Sequence, residues 1–276
     1  MFQGKKIGVT VPTYNEDALI ATTIGNMPAY VDRIYVVNDG STDGTCGIVS
    51  GMCLTNSKLV LVNHPANRGV GAAIVTGYKR CLEDGMDIAV VMAGDNQMDP
   101  VELPRLLAPI VSGEAGYSKG NRMSSSGHMK GMPMWRRFGN RLLRWLTGIS
   151  SGNCKIMDPQ NGYTAASAEA LRSIDLGSVY PNYGYCNDLL VKLTVAEVRI
   201  VEVPMTARYL GEKSKIRYRE YIPRVTWLLV RSLAWRMKVA LSSSSQRRRA
   251  ADGATLTAGP LPLVESQATA TKDLGQ

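Results

Sequence analysis

Short runs of β-branched and aliphatic residues, each separated from the next by a helical pattern, fill the first hundred positions. This alternation constrains the fold more than any other feature of the chain. Residues 7–11, 33–37, 58–62 and 88–92 read as strands, and 16–27, 45–54 and 70–83 read as the helices between them. The last of these carries Ala72, Ala73, Val75, Tyr78 and Cys81 at helical spacing. Strand–helix alternation predicts an α/β fold built on a doubly wound, mostly parallel sheet with helices on both faces. In such sheets ligands bind outside the carboxyl ends of the strands. The chemistry is therefore expected in the segments that follow each strand, and the 276 residues suffice for one large domain around a sizeable core.

Those segments hold the unusual polar residues. After the first strand comes Pro12-Thr13-Tyr14-Asn15-Glu16, where Pro12 reads as the strand stop and Asn15 and Glu16 as a helix cap and an acid at the helix N-terminus. After the second comes Asn38-Asp39-Gly40-Ser41-Thr42-Asp43-Gly44-Thr45. Asp43 or Thr42 caps the helix at Thr45, which leaves Asp39 at a strand end with no helix to cap and available to a nucleobase. After the third comes Asn67-Arg68-Gly69-Val70-Gly71-Ala72-Ala73. Ile74 stands at the third glycine position of a dinucleotide fingerprint, and the motif follows the wrong strand. A helix start of small residues, close to the sheet or to a ligand, accounts for it better. After the fourth comes Ala93-Gly94-Asp95-Asn96-Gln97-Met98-Asp99-Pro100. Asp99 caps the helix that Pro100 begins. Asp95 and Gln97, two residues apart, can share one hard divalent cation whose shell nucleotide phosphates complete.

Charge and composition narrow the class. The chain carries 32 Lys+Arg against 23 Asp+Glu, a net charge of +9, yet only two histidines, His64 and His128. Five cysteines at 46, 53, 81, 154 and 186 form no Cys-x-x-Cys pair, which argues against structural zinc and for a reducing compartment. The positive charge is localised. Between Ser118 and Arg144 there are seven Lys/Arg and no acid, and between Pro204 and Arg249 twelve against two. Either block alone is a solvated face, whereas two together favour an anionic partner. No targeting signal is read at residues 1–4, and no run of about 18 apolar residues marks a membrane span. Residues 134–146 and 221–241 interleave Trp and Leu with Arg and Lys, a pattern suited to an anionic membrane surface or to packing on the sheet. Residues 242–276 lack apolar periodicity and read as a disordered tail.

The four post-strand motifs together resemble family 2 glycosyltransferases of the GT-A fold, most closely the dolichyl- and polyprenyl-phosphate mannose or glucose synthases. The resemblance continues through Gly120-Asn121-Arg122, Asp158-Pro159-Gln160-Asn161-Gly162-Tyr163, Glu202-Val203-Pro204 and 208–215, and covers roughly residues 6–240. Two positions depart from the family pattern. Ala93 replaces the first acid of Asp-x-Asp at the metal site, and Asn38 replaces the first acid of Asp-Asp after the second strand.

The resemblance implies transfer of a sugar, with inversion, from a UDP- or GDP-sugar to a polyprenyl or dolichyl phosphate. It implies that Pro12, Tyr14, Glu16, Asp39, Ser41 and Asn67 hold the nucleotide, and that Asp95 and Gln97 hold Mg2+ or Mn2+ on the diphosphate. Arg122 would stand beside the phosphates, and Asp158 would orient the sugar or assist the metal. A lipid phosphate is already anionic and needs cations for placement, for which Arg136, Arg137, Arg208, Ser214 and Lys215 are suited. A sugar hydroxyl, as in cell-envelope polysaccharide synthesis, needs a carboxylate base instead, and Asp188 is the candidate. A third reading is a non-catalytic membrane binder on a decayed fold. No nucleic-acid partner is expected, since no aromatic-rich binding motif is present. The expected organisation is a catalytic domain at 1–218, a basic surface helix at 219–241 and the tail at 242–276, at the cytoplasmic face of a membrane.

Overall fold

A computed structural model describes residues 1–124, 134–206 and 223–241. Among them, seven strands form one sheet in the order β3-β2-β1-β4-β6-β5-β7. They are β1 Ile7–Thr13, β2 Arg33–Asn38, β3 Leu59–Asn63, β4 Ile88–Val91, β5 Tyr117–Asn121, β6 Thr164–Ser167 and β7 Ile200–Pro204. Only β6 runs against its neighbours, β4 and β5. The helices are α1 Ile20–Gly25, α2 Thr45–Cys53, α3 Val70–Glu83, α4 Leu103–Val111, α5 Met134–Ser151, α6 Ala168–Arg172 and α7 Tyr185–Val195. A further helix, α8, spans 223–241. Residues 1–236 pack as one unit, and 237–276 form a second whose described part is the end of α8. The expected tail, 242–276, lies outside the described residues.

Both faces of the sheet are buried, as its near-continuous apolar strands require. On one face Ile7, Val9, Val11, Val36 and Val90 pack with Ile20 of α1 and Leu103, Leu106 and Leu107 of α4. On the other, Tyr35, Ala89, Val91 and Tyr117 pack with Ile74 and Tyr78 of α3 and Leu189, Leu190 and Leu193 of α7. Truncating a fully buried side chain such as Leu107 to Ala costs about 2–5 kcal/mol. Gly77 brings α3 down onto β1, since a Cβ there would collide with Thr10.

Two local readings are corrected. Pro12 does not stop β1, because it remains in register with Val37 of β2. Pairing with β4 ends at Thr10–Val91, so the N–H that proline lacks would have faced no strand. The first helix is much shorter than 16–27, because residues 15–17 are hydrogen-bonded to the loop after β2 instead of coiling.

Both Trp-bearing helices lay one face on the body. Val225, Leu228, Leu229 and Ser232 of α8 are buried at helical spacing, and so are Thr147, Ser150 and Ser151 of α5. Their other faces present Leu142, Trp145 and Ile149, and Trp227 and Val230, to solvent. Arg236 ties the two helices together by donating to the Ile149 carbonyl at 3.1 Å. No helix among the described residues is long and apolar enough to cross a membrane.

Candidate active site

The strand order reverses between β1 and β4, and the crevice at their carboxyl ends is where ligands bind in such sheets. Two loops are fastened together at its rim. Asn15 N–H donates to Ser41 Oγ at 3.0 Å and Thr42 N–H to Asn15 Oδ1 at 2.9 Å. Glu16 N–H donates to Thr45 Oγ1 at 2.9 Å, and Asp17 N–H to Asp43 Oδ2 at 3.2 Å. Asn15 adopts the left-handed φ of +53° that this bridging needs. Neither Asn15 nor Glu16 therefore caps a helix, whereas Asp43 and Asp99 accept from Thr45 N–H and Val101 N–H as expected. Tyr14 is exposed, Pro12 is buried and Glu16 and Ser41 are half-buried in this stretch.

Asp39 is not left idle at its strand end. Its carboxylate accepts from Arg68 N–H at 2.9 Å and Gly69 N–H at 2.8 Å, and meets His64 Nδ1 at 2.6 Å. His64 Nε2 reaches Thr76 Oγ1 of α3 at 3.0 Å. Asp39 thus orders the loop carrying Asn67, and Gly40 (φ +72°) lets residues 66 and 67 approach where a Cβ would not fit. The glycines at the start of α3 accommodate protein. A Cβ at Gly69 would strike Asn182, and one at Gly71 the Tyr180 carbonyl.

Asp95 follows β4 in a tight turn, accepting from Gln97 N–H at 3.1 Å, with Asn96 at a left-handed φ of +56°. The turn is pinned by Thr23 Oγ1 donating to the Gly94 carbonyl at 3.0 Å and by Tyr163 Oη donating to the Asp99 carbonyl at 3.0 Å. No group of three or more His, Cys, Asp and Glu among the described residues is arranged to cage a metal ion. Asp95 and Gln97 supply one carboxylate and one amide oxygen. That hard but sparse set suits a cation which arrives with phosphate oxygens already in its shell.

The sheet carries Arg122 and Asp158 to the same edge. Val91 of β4 pairs with Thr164 of β6, and Thr164 with Lys119 of β5. The end of β4, the start of β6 and the end of β5 therefore lie side by side, spanning about 10 Å. Arg122 grips the fully buried Asp158 bidentately, Nε to Oδ2 at 2.8 Å and Nη2 to Oδ1 at 3.0 Å, with its own N–H on Oδ2 at 3.0 Å. Burial pushes the Asp158 carboxyl up most strongly of any single cause, but the Arg122 guanidinium, the Lys119 charge and the Arg122 N–H together hold the group below the usual carboxylate range. Behind this pair lie two charges to which the sequence reading gave no role, Lys119 and the Glu202 of the Glu202-Val203-Pro204 motif. Glu202 accepts from Met157 and Asp158 N–H at 2.8 and 2.9 Å and from Asn121 Nδ2 at 3.0 Å. Lys119, fully buried, donates to the Asp158 carbonyl. Burial lowers its ammonium's pKa against the opposing pull of Asp158 and Glu202. The available signal was a lone charge inside each of two strand-like runs.

Asp188 lies elsewhere on α7. Its Oδ2 accepts from Lys192 Nζ at 2.6 Å and Tyr180 N–H at 2.9 Å, in a cavity lined also by Leu228, Ser232 and Trp235. Its neighbour Asn187 is the residue that turns to the Asp158 segment, accepting from Gln160 Nε2 at 2.6 Å. Arg136 and Arg137 fall in the first turn of α5. Arg208, Ser214 and Lys215 lie outside the described residues.

Comparison with known proteins agrees with this arrangement. The chain is 30% identical to a UDP-N-acetylglucosamine–dolichyl-phosphate N-acetylglucosaminyltransferase of Methanococcus voltae, over 74% of this chain and 86% of that one. It is 31% identical to an undecaprenyl-phosphate mannosyltransferase of Micrococcus luteus, over 73% and 84%. It is 33% identical to a polyprenol monophosphomannose synthase of Mycolicibacterium smegmatis, over 72% and 76%. Among solved structures, glucosyl-3-phosphoglycerate synthase of Mycobacterium tuberculosis, in complex with Mn2+, UDP and phosphoglyceric acid, superposes with a TM-score of 0.60 at 22% identity. That superposition covers 84% of this chain and 78% of that one, and establishes the shared GT-A fold. Residues 9–174 match the profile described as Glycosyl transferase family 2. A sheet whose carboxyl edge gathers these motifs, a family profile matched over residues 9–174 and relatives similar along most of their length lead to one assignment: the chain is a glycosyltransferase of family 2.

Proposed function

We propose that the chain transfers a sugar from a UDP- or GDP-sugar to a polyprenyl or dolichyl phosphate, with inversion, at the cytoplasmic face of an anionic membrane. The observation that carries this reading is the Arg122–Asp158 pair, fixed at the same sheet edge as Asp95 and Gln97. The nucleotide lies along Pro12, Tyr14, Glu16, Ser41 and Asn67, with Asp39 ordering the loop that carries Asn67. Asp95 and Gln97 hold Mg2+ or Mn2+, which supplies charge neutralisation on the departing diphosphate. Arg122 adds a fixed cation there, pre-oriented by Asp158 so that little reorganisation accompanies bond breaking.

An oxygen of the lipid phosphate attacks the anomeric carbon from the face opposite the leaving group. The new C–O bond forms as the bond to the nucleoside diphosphate breaks, which inverts the centre. The attacking oxygen carries no proton near neutral pH, so no general base is needed. The cations at Arg136, Arg137, Arg208 and Lys215, with Ser214, place the acceptor. The relatives named for dolichyl, undecaprenyl and polyprenol phosphates support this acceptor class. The solvent-facing Trp145 and Trp227 support docking on a lipid surface.

The test is transfer of radiolabelled sugar from UDP-glucose, UDP-N-acetylglucosamine and GDP-mannose to undecaprenyl phosphate in detergent, with and without Mn2+. Product that forms only with the lipid phosphate and the metal supports the reading. Absence of product from all three sugar donors contradicts it.

A further inference from the structure

Asp158 is held on every side that a residue offers. Glu202 Oε1 takes its N–H at 2.9 Å, Lys119 Nζ takes its carbonyl, and its carboxylate takes Arg122. Glu202 Oε2 also takes the N–H of Met157 at 2.8 Å and the amide of Asn121 at 3.0 Å, so one carboxylate ties the end of β5 to the 157–158 segment. Lys119 and Glu202 are register partners on the neighbouring strands β5 and β7, with Nζ and Oε1 3.9 Å apart. The Lys119 side chain is fully buried and that of Glu202 is 12% exposed. Well-packed apolar residues would serve the sheet at least as well as a buried ion pair, because both charges must be stripped of water. Neither residue is needed to pair the strands, whose backbones do that. Their side-chain hydrogen bonds converge on the backbone of residues 157 and 158 and on Asn121, which immediately precedes Arg122.

We infer that Lys119 and Glu202 are positioning residues that clamp Asp158 and, through it, hold the Arg122 guanidinium where the sugar donor's diphosphate departs. The clamp itself rests on the geometry, and only the reference to the diphosphate rests on the function proposed above. Neither residue touches the substrate. Their effect is to fix the orientation of a group that does, and a displacement of about 1 Å at such a group costs on the order of a hundredfold in rate.

The experiment uses the full chain with 15N-labelled arginine, in which the Arg122 Nε–H signal is assigned by its loss in Arg122→Lys. In Glu202→Gln, one hydrogen-bonding face of the carboxylate becomes a donor facing other donors. The expected result is exchange of the Arg122 Nε–H with solvent about tenfold faster or more, measured at a temperature where the variant, though its Tm is lowered, is still fully folded. Sugar transfer to undecaprenyl phosphate is expected to lose about a hundredfold in kcat, with donor KM within about threefold. An Nε–H signal that exchanges as in the wild type overturns the inference. So does a rate loss that disappears at temperatures where the variant is fully folded. If the signal is disturbed while kcat holds, the link from clamp to rate fails. If Arg122→Lys itself transfers at the wild-type rate, the role proposed for Arg122 fails, and the NMR result still decides the clamp. Should Glu202→Gln not fold, Lys119→Met combined with Glu202→Gln removes both charges together, leaves none buried alone and is read in the same way.

Discussion

Asn38 and Asn63 meet across β2 and β3, with the Asn38 amide nitrogen donating to Asn63 Oδ1 at 2.9 Å while the Asn38 oxygen accepts from Ser41 N–H at 3.1 Å. This is the position at which the resemblance to the family leads one to expect an acid. The amide here donates and accepts at once, and a carboxylate would only accept. Asn38→Asp is expected to cost about 1 kcal/mol or less, because Asn63 can turn its own amide towards the new carboxylate. Asn38→Leu leaves Asn63 Oδ1 and Ser41 N–H without this partner and is expected to cost about 1–3 kcal/mol. Urea unfolding of the two variants measures the difference.

Removing the charge of Asp158 leaves Arg122 without its counter-ion, and Asp158→Asn is expected to lower stability by about 3 kcal/mol at neutral pH. The wild-type carboxyl titrates below its unfolded value. Its contribution is therefore complete above the unfolded carboxylate range and is lost as pH falls through the folded pKa. The stability gap between wild type and variant should narrow on acidification below about pH 4. Unfolding curves across pH 3–7 report it.

With a single acid at the proposed metal position, cation affinity should respond to the number of carboxylates. Asp95→Asn is expected to abolish Mn2+-dependent binding of UDP or GDP and to lower transfer by about 10²–10³. Ala93→Asp, at a half-buried position in the same turn, is expected to tighten Mn2+ binding by adding a second carboxylate. Calorimetric titration of Mn2+ with each nucleotide distinguishes the two directions.

Trp145 is 65% exposed and Trp227 59%, so neither contributes much to the core. Replacing either by Ala should leave Tm unchanged. Each change should weaken binding to vesicles of anionic phospholipid by about tenfold, the scale expected of partly burying one aromatic side chain. Sedimentation with vesicles of phosphatidylglycerol, set against phosphatidylcholine, provides the measurement.

Asp188→Asn separates the two acceptor chemistries. With a phosphate acceptor the rate should change by less than about threefold, the cost falling on stability as Lys192 loses its partner. With a hydroxyl acceptor the rate should fall by about 10²–10⁴. Single-turnover transfer to undecaprenyl phosphate decides between them.

The parts of the fold legible in the sequence are those set by local pattern. The bounds of α3 follow from its small-residue start and apolar spacing, and the alternation around it announces the sheet. What the sequence concealed depends on contacts between distant segments. Asn15 reads as a helix cap until Ser41 and Thr42 are brought opposite it. Asp39 reads as a nucleobase contact, and nothing local announces that the 64–69 loop folds over its carboxylate. Asp95 stands out because it follows a strand, and Arg122 because Gly120-Asn121-Arg122 resembles a family motif. Lys119 does not, and Glu202 does so only as a member of a motif without a role, because a charge within a strand looks like ordinary alternation until β5 and β7 are known to be neighbours. Asp188 and Asn187 are adjacent in sequence, and only the turn of α7 decides which one faces the Asp158 segment.

The reversed direction of β6 has a consequence for how such a chain can diversify. Because β5 runs towards the crevice and β6 runs away from it, the polypeptide between them departs from and returns to the same edge of the sheet. Lengthening or exchanging that excursion shifts no strand and alters no register, so the sheet and the β1–β4 crevice are indifferent to it. A single inverted strand thus lets the stretch between Arg122 and the clamped Asp158 segment vary while those two ends stay fixed. On the function proposed above, acceptor preference would be rewritten there while the nucleotide half of the molecule stays as it is.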